Sequence, residues 1–402
     1  MPATHPRRAA FQHLTLTALL AICAALVACG GAGGGSSGGV SATASAAPTY
    51  ACCHTPTPSP SATVTTQLQP TNTPGPSLSQ LTVYAGDANG DFFGLNAQTG
   101  SKRWSVSVSS EPNKPLANNG LVYVTTQGGY VLAINAGHIL WQAQGDSTGG
   151  AIDGRPALYN GLLYAANDVG VIFALDAGSG VQRWRYPTGG QISGSVNVQS
   201  DGTLYAGSSD GYLYALNAGD GSLRWRFATG AAIEFTSPAV ANGVVFIGAD
   251  NGKLYAVNAS DGTQRWAFQS GGQIFGRPAV DNGAVYFGSN DYRVVAVSVS
   301  SGQQLWSFQT GGSVTGSPAA TSGAVFITSS DGVLYALSEA NGGKLWTFSR
   351  GGGFGRAWPV ASHGLLFIGA ADGNLYALNL MNGAVTWRYT AGAAVDAATI
   401  GL

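Results

Sequence analysis

Charge is scarce in this chain, so charges that recur at one phase of the sequence are the first candidates for chemistry. Charged residues make up 9% of the 402 residues and hydrophobic residues 45%. Lys114, Asp153, Arg155, Glu234, Arg277, Arg356, Trp358 and Asp396 each stand just ahead of a short apolar segment in a repeating pattern. Small serines such as Ser195 and Ser317 hold the same place in other copies. Arginine can grip a carboxylate or phosphate through two parallel hydrogen bonds. These positions therefore form a candidate ligand site. The competing reading pairs Arg155, Arg277 and Arg356 with Asp153, Glu234 and Asp396 across a water-filled channel.

Other chemistries fail for want of residues. After residue 80 there are two histidines, His138 and His363, and no cysteine. Both histidines fall in turns, where a solvated role is expected. No paired-histidine zinc motif, P-loop or dinucleotide fingerprint is present. Glycine runs such as Gly351-Gly352-Gly353 read as turns, since a phosphate cradle needs a following helix. Asp168, Asp210, Asp291, Asp331 and Asp372 read as hairpin-turn residues. The formal net charge is −1, so no global field attracts nucleic acid. No catalytic residue is assigned.

Tryptophan reveals the elements that carry these positions. Trp104, Trp141, Trp184, Trp225, Trp266, Trp306, Trp346 and Trp387 are spaced by 37, 43, 41, 41, 40, 40 and 41 residues. A period near forty matches four strands per propeller blade. In one copy, Ser237-Pro238-Ala239-Val240 starts an inner strand A, and Asn242-Gly243 is a hairpin turn signal. Residues 244–248 make strand B, 253–257 strand C and 264–268 the outer strand D. Two-residue turns leave no room for helices. The first copy, from Leu81, lacks strand A, whereas 395–402 reads as a lone strand A. The expectation is an all-β fold of eight four-stranded antiparallel blades, closed by the C-terminal strand, over residues 81–402. Closure removes the free sheet edges.

The N-terminal part reads as a targeting and tethering segment. Arg7-Arg8 precede an apolar stretch from Phe11 to Ala25 that ends in Leu26-Val27-Ala28-Cys29. This resembles a bacterial lipobox, so residues 1–28 read as a lipoprotein signal peptide and Cys29 as the lipidated residue. Residues 29–80 are rich in Gly and Ser, then Pro and Thr, and cannot offset their ordering entropy by burial. A flexible coil of that length has ends about 40 Å apart. Cys52-Cys53-His54 lie within it and read as incidental.

The segment Tyr214-Ala215-Leu216-Asn217-Ala218-Gly219-Asp220-Gly221-Ser222-Leu223-Arg224-Trp225 resembles the tryptophan-docking motif of pyrroloquinoline quinone (PQQ) repeats. Similar stretches end at Trp104, Trp184, Trp266, Trp346 and Trp387. The resemblance implies that each Trp wedges between neighbouring blades. It leads to two branches, PQQ-dependent dehydrogenases and cofactor-free propellers such as the barrel-assembly lipoprotein. The dehydrogenases use calcium held by carboxylate and amide oxygens, a catalytic Asp and a basic residue over the quinone. Many also carry adjacent cysteines by the cofactor, and long loops wall their site. Here the adjacent cysteines lie in the linker and such loops are absent from the repeats. The expectation is a monomeric, non-catalytic cell-surface lipoprotein of the bacterial envelope that binds or assembles protein and has no cofactor. A calcium–PQQ dehydrogenase and an extracellular polysaccharide binder are the alternatives. The anchoring expectation has a direct check: Cys29→Ala moves the protein from the membrane fraction to the soluble fraction and leaves its thermal unfolding unchanged. Retention in the membrane fraction contradicts the lipobox.

Overall fold

A computed structural model describes residues 76–350, 352–354 and 357–402, and for Asp396 and Ala397 the backbone alone. The leader, Cys29, the linker cysteines and Arg356 lie outside the described residues. The described chain forms eight four-stranded antiparallel sheets. Seven are built from consecutive strands. In the first, Thr82–Asp87, Asp91–Asn96 and Lys102–Ser107 are completed by Val395–Gly401, which pairs with Thr82–Asp87. The chain thus closes its own ring, as the unequal ends of the repeat array imply. A short turn at Ser77–Gln80 precedes the first strand, and Arg103 donates to the Ser79 carbonyl.

Blade five shows how the sequence makes each element. Strands A to D are Ala239–Ala241, Val244–Gly248, Lys253–Asn258 and Gln264–Gln269. Asn242 and Gly243 both take positive φ, 51° and 71°, which a two-residue primed hairpin turn requires. Strands B and C are buried almost end to end, because neighbouring blades cover both faces. This is why Val-Val-Phe-Ile and Leu-Tyr-Ala-Val run apolar without alternation. Strand D alternates exposed and half-buried side chains, as expected at the rim.

Each tryptophan sits on strand D opposite a small residue of strand C. The partners are Gly94, Ala133, Ala174, Ala215, Ala256, Ala296, Ala336 and Ala377. A bulge follows directly in every blade and aims the indole across the sheet. The ring then rests beside a strand-B aromatic; Trp225 and Tyr205 have centroids 5.7 Å apart. Its other side meets the next blade. Trp225 Nε1 donates to the Ala259 carbonyl at 3.0 Å, and a Cβ on Gly262 would lie 2.7 Å from the same indole. Trp387 does the same across the closure, donating to Ala97 at 3.0 Å and packing on Gly100.

Seven of the eight indoles make this hydrogen bond among the described residues. Trp104 faces the exception. The C–D connection of blade two is only Ala136-Gly137, and Trp104 packs on Gly137 instead. That short turn also explains the 37-residue spacing to Trp141.

Two outcomes test this architecture. Removing residues 395–402 unpairs the edge of Thr82–Asp87 and produces aggregation or a large loss of thermal stability; unchanged melting contradicts closure. Gly262 and Gly243 both need positive φ, at 74° and 71°, yet only Gly262 is pressed against an indole. Gly243→Ala then costs about 1–2 kcal/mol from backbone strain, and Gly262→Ala costs clearly more in urea unfolding. Equal losses contradict the wedge.

Candidate functional site

The residues leading into strand A fall into two layers, which the sequence-level grouping combined. Ile152, Ile192, Ile233, Ile274 and Val314 are buried equivalents that plug successive blades. The residue after each plug is Asp153, Ser193, Glu234, Phe275 or Thr315, and by the same register Asp396 follows Val395. This layer lies against the B–C turns. Asp153 Oδ1 accepts from Gln127 Nε2 at 2.7 Å, and Gln127 belongs to the B–C turn of blade two. Glu234 lies close enough to Asp250, in the B–C turn of blade five, to help raise its pKa. Burial is the larger cause and the Glu234 charge the second.

The second layer is nearer the middle of the channel. It holds the residue two places before strand A: Lys114, Arg155, Ser195, Ser237, Arg277, Ser317 and Trp358 from blades two to eight. Here the serines link blade to blade. The Arg155 amide donates to Ser195 Oγ at 2.9 Å, the Ser195 amide to Ser237 Oγ at 2.8 Å, and the Arg277 amide to Ser317 Oγ at 2.8 Å. Ser195 and Ser317 were legible as small lining residues, but their role as acceptors was not. The recurring serine before strand A was the available signal. Blades five and eight reach this layer with one extra residue. In blade five it is accommodated by Phe235, which has φ 54°; an aromatic residue in that conformation stores strain.

The cations of the second layer converge. Arg155, Ser195, Ser237, Arg277 and Trp358 line one cavity of about 200 Å³. Arg155 Nε donates to the Pro115 carbonyl at 3.1 Å. Burial, and after it the positive charge of Arg277, lowers the Arg155 pKa to about 10. Burial also lowers Arg277. Both side chains keep part of their surface on the channel water. Lys114 Nζ stands 3.6 Å above the Trp358 ring, a cation–π contact from blade two to blade eight. Among the described residues neither arginine forms an ion pair; the two ion pairs present join the strand-D residues Arg183 and Arg185 to Asp176 and to the buried Asp146. The proposed pairing of Arg155 and Arg277 with Asp153 and Glu234 is therefore corrected, because the acids lie in the other layer. Arg356 and the Asp396 side chain are outside the described residues.

The remaining candidates resolve as structure. His138 is exposed as the first residue of strand D in blade two, rather than in the turn before it, and His363 is exposed in an A–B turn. Asp210 accepts from the Gly189 amide at 2.8 Å and from the Tyr214 hydroxyl at 2.6 Å, pinning the preceding inter-blade link to its own turn. Asp331 repeats this with Gly311 and Tyr335, whose pKa is pushed up to about 12 by burial and then by Asp331. Among the described residues no three His, Cys, Asp or Glu side chains group as metal ligands. The axial layer also presents cations where a cation would have to bind.

Comparison with known proteins gives the family. No curated protein matches. Among solved structures, BamB from Moraxella catarrhalis has 20% identity and a TM-score of 0.63, covering 71% of this chain and 89% of that one. The computationally designed Ika8 protein has 18% identity and a TM-score of 0.66, with 74% and 93% covered. A designed protein matches as well as a natural one, so these likenesses speak for the fold alone. Residues 59–191 and 272–400, more than half of the chain, match the PQQ_2 family described as outer membrane protein assembly factor BamB, and the chain belongs to that family.

Proposed function

We propose that this protein is a non-catalytic scaffold of the bacterial envelope, anchored through lipid on Cys29, which binds or assembles protein through its propeller. The observation that carries this reading is membership of a family described as an outer membrane assembly factor. The geometry is compatible with it. A ring of eight blades locked by buried indoles is a rigid display surface, and rigid partners lose little entropy on docking. Among the described residues the layer around the axis offers no carboxylate cluster, which speaks against the dehydrogenase branch of the PQQ repeats. In this reading no PQQ is held and the protein acts as a monomer.

The scaffold and the dehydrogenase part company in two measurements. Deleting the gene lowers the amount of folded β-barrel protein in the outer membrane, and the wild-type gene restores it. The purified full chain, supplied with PQQ, calcium, an artificial electron acceptor and alcohols or sugars, shows no turnover. Unchanged barrel levels combined with calcium-dependent turnover that Asp153→Ala abolishes would replace the scaffold with a quinoprotein.

A further inference from the structure

Donors crowd the axial cavity, and among the described residues few acceptors meet them. Each guanidinium carries five N–H groups. Arg155 spends one of them on the Pro115 carbonyl, and Arg277 donates none from its side chain to a described residue. Ser195 and Ser237 are used through their oxygens as acceptors, which leaves their hydroxyl hydrogens to donate. The cations sit close enough to repel one another. Two like charges brought together away from bulk water destabilise the fold unless something compensates them. In a chain with so little charge, their convergence from blades three and six is a built feature. The same cavity has an apolar wall, formed by Leu116, Leu158, Val196, Pro238 and Trp358.

We propose that the axial channel binds a small organic carboxylate, its oxygens held by Arg155 and Arg277 with the Ser195 and Ser237 hydroxyls, its apolar body against Trp358. The guanidinium fork matches the geometry of a carboxylate. The cavity, about 200 Å³, admits a compact acid or the end of a chain. The mouth supplies the selectivity. Asp153 and Glu234 place two carboxylates in the layer beside the B–C turns, and these turn away polyanions entering from that side. Only a ligand with one localised negative end on a mostly apolar body passes both. This site does not depend on the scaffold reading, because it lies on the axis and leaves the outer surface free. The carboxylate has two sources, a free acid or the C-terminus of a peptide.

Calorimetry and thermal unfolding of the full chain at low ionic strength test this with three probes. They are benzoate, a short apolar peptide with a free C-terminus, and the same peptide amidated. Benzoate or the free-acid peptide binds one-to-one and raises the melting temperature, the amide does not bind, and added salt weakens binding. Which of the first two binds identifies the source. Arg277→Gln and Arg155→Gln each weaken binding about tenfold or more, while Arg265→Gln on an exposed strand D leaves it unchanged. Without ligand, Arg277→Gln melts above the wild type, since it removes one of two repelling charges. Arg277→Lys keeps the charge without the fork and binds more weakly than wild type. Binding by no probe, binding of amide and acid alike, or binding that survives both glutamine variants overturns the proposal.

Discussion

The structure depends on the seat of one side chain, the strand-D tryptophan. A four-stranded blade cannot bury both of its faces alone. The indole joins it to its neighbour in two ways. It places a large apolar ring against a turn glycine of the next blade, and it donates one hydrogen bond to a carbonyl in that turn. Within its own blade the ring pairs with the strand-B aromatic, which adds about 0.5–1.5 kcal/mol beyond burial. Repetition matters more than the size of any one contact. Trp387 on Gly100 makes the last interface equivalent to the others, and the inserted C-terminal strand removes the free edge.

Closure has a consequence that an open array lacks. It brings residues far apart in sequence to one axis. Arg155 and Arg277 are separated by three blades, yet they line one cavity. Lys114 and Trp358 meet from blades two and eight. Positions that look evenly distributed along the chain therefore converge at the centre. Radial reach explains this: strand A is innermost, and long side chains just before it extend toward the axis. The inner belt of serine hydroxyls fixes the backbone from which they extend.

The fold was legible because its determinants are local and repeated. The tryptophan period, the paired turn residues and the missing first strand A each follow from nearest-neighbour chemistry, so the strands of blade five lie where the residue pattern puts them. The axial site was legible only in part. Residue types singled out Arg155 and Arg277, which line one cavity, but their register relative to Asp153 and Glu234 was not visible. A shift of one or two residues moves a side chain from the mouth to the axis, and blade five inserts Phe235 within that stretch. Pairing Arg155 and Arg277 with Asp153 and Glu234 was reasonable from composition and fails on this register. The short turn at Ala136-Gly137 was likewise readable as a spacing anomaly, while its effect on Trp104 needed the structure.

The central claim is that the axis of this ring is a carboxylate site made from non-adjacent blades. A crystal structure of the full chain grown with 4-bromobenzoate tests it most directly, since bromine can be located by its own anomalous signal. The account predicts one bromine peak in the channel beside Trp358, with the carboxylate within hydrogen-bond reach of both Arg155 and Arg277. An empty channel in which the two guanidiniums instead fold onto protein carboxylates such as Asp396 would contradict it.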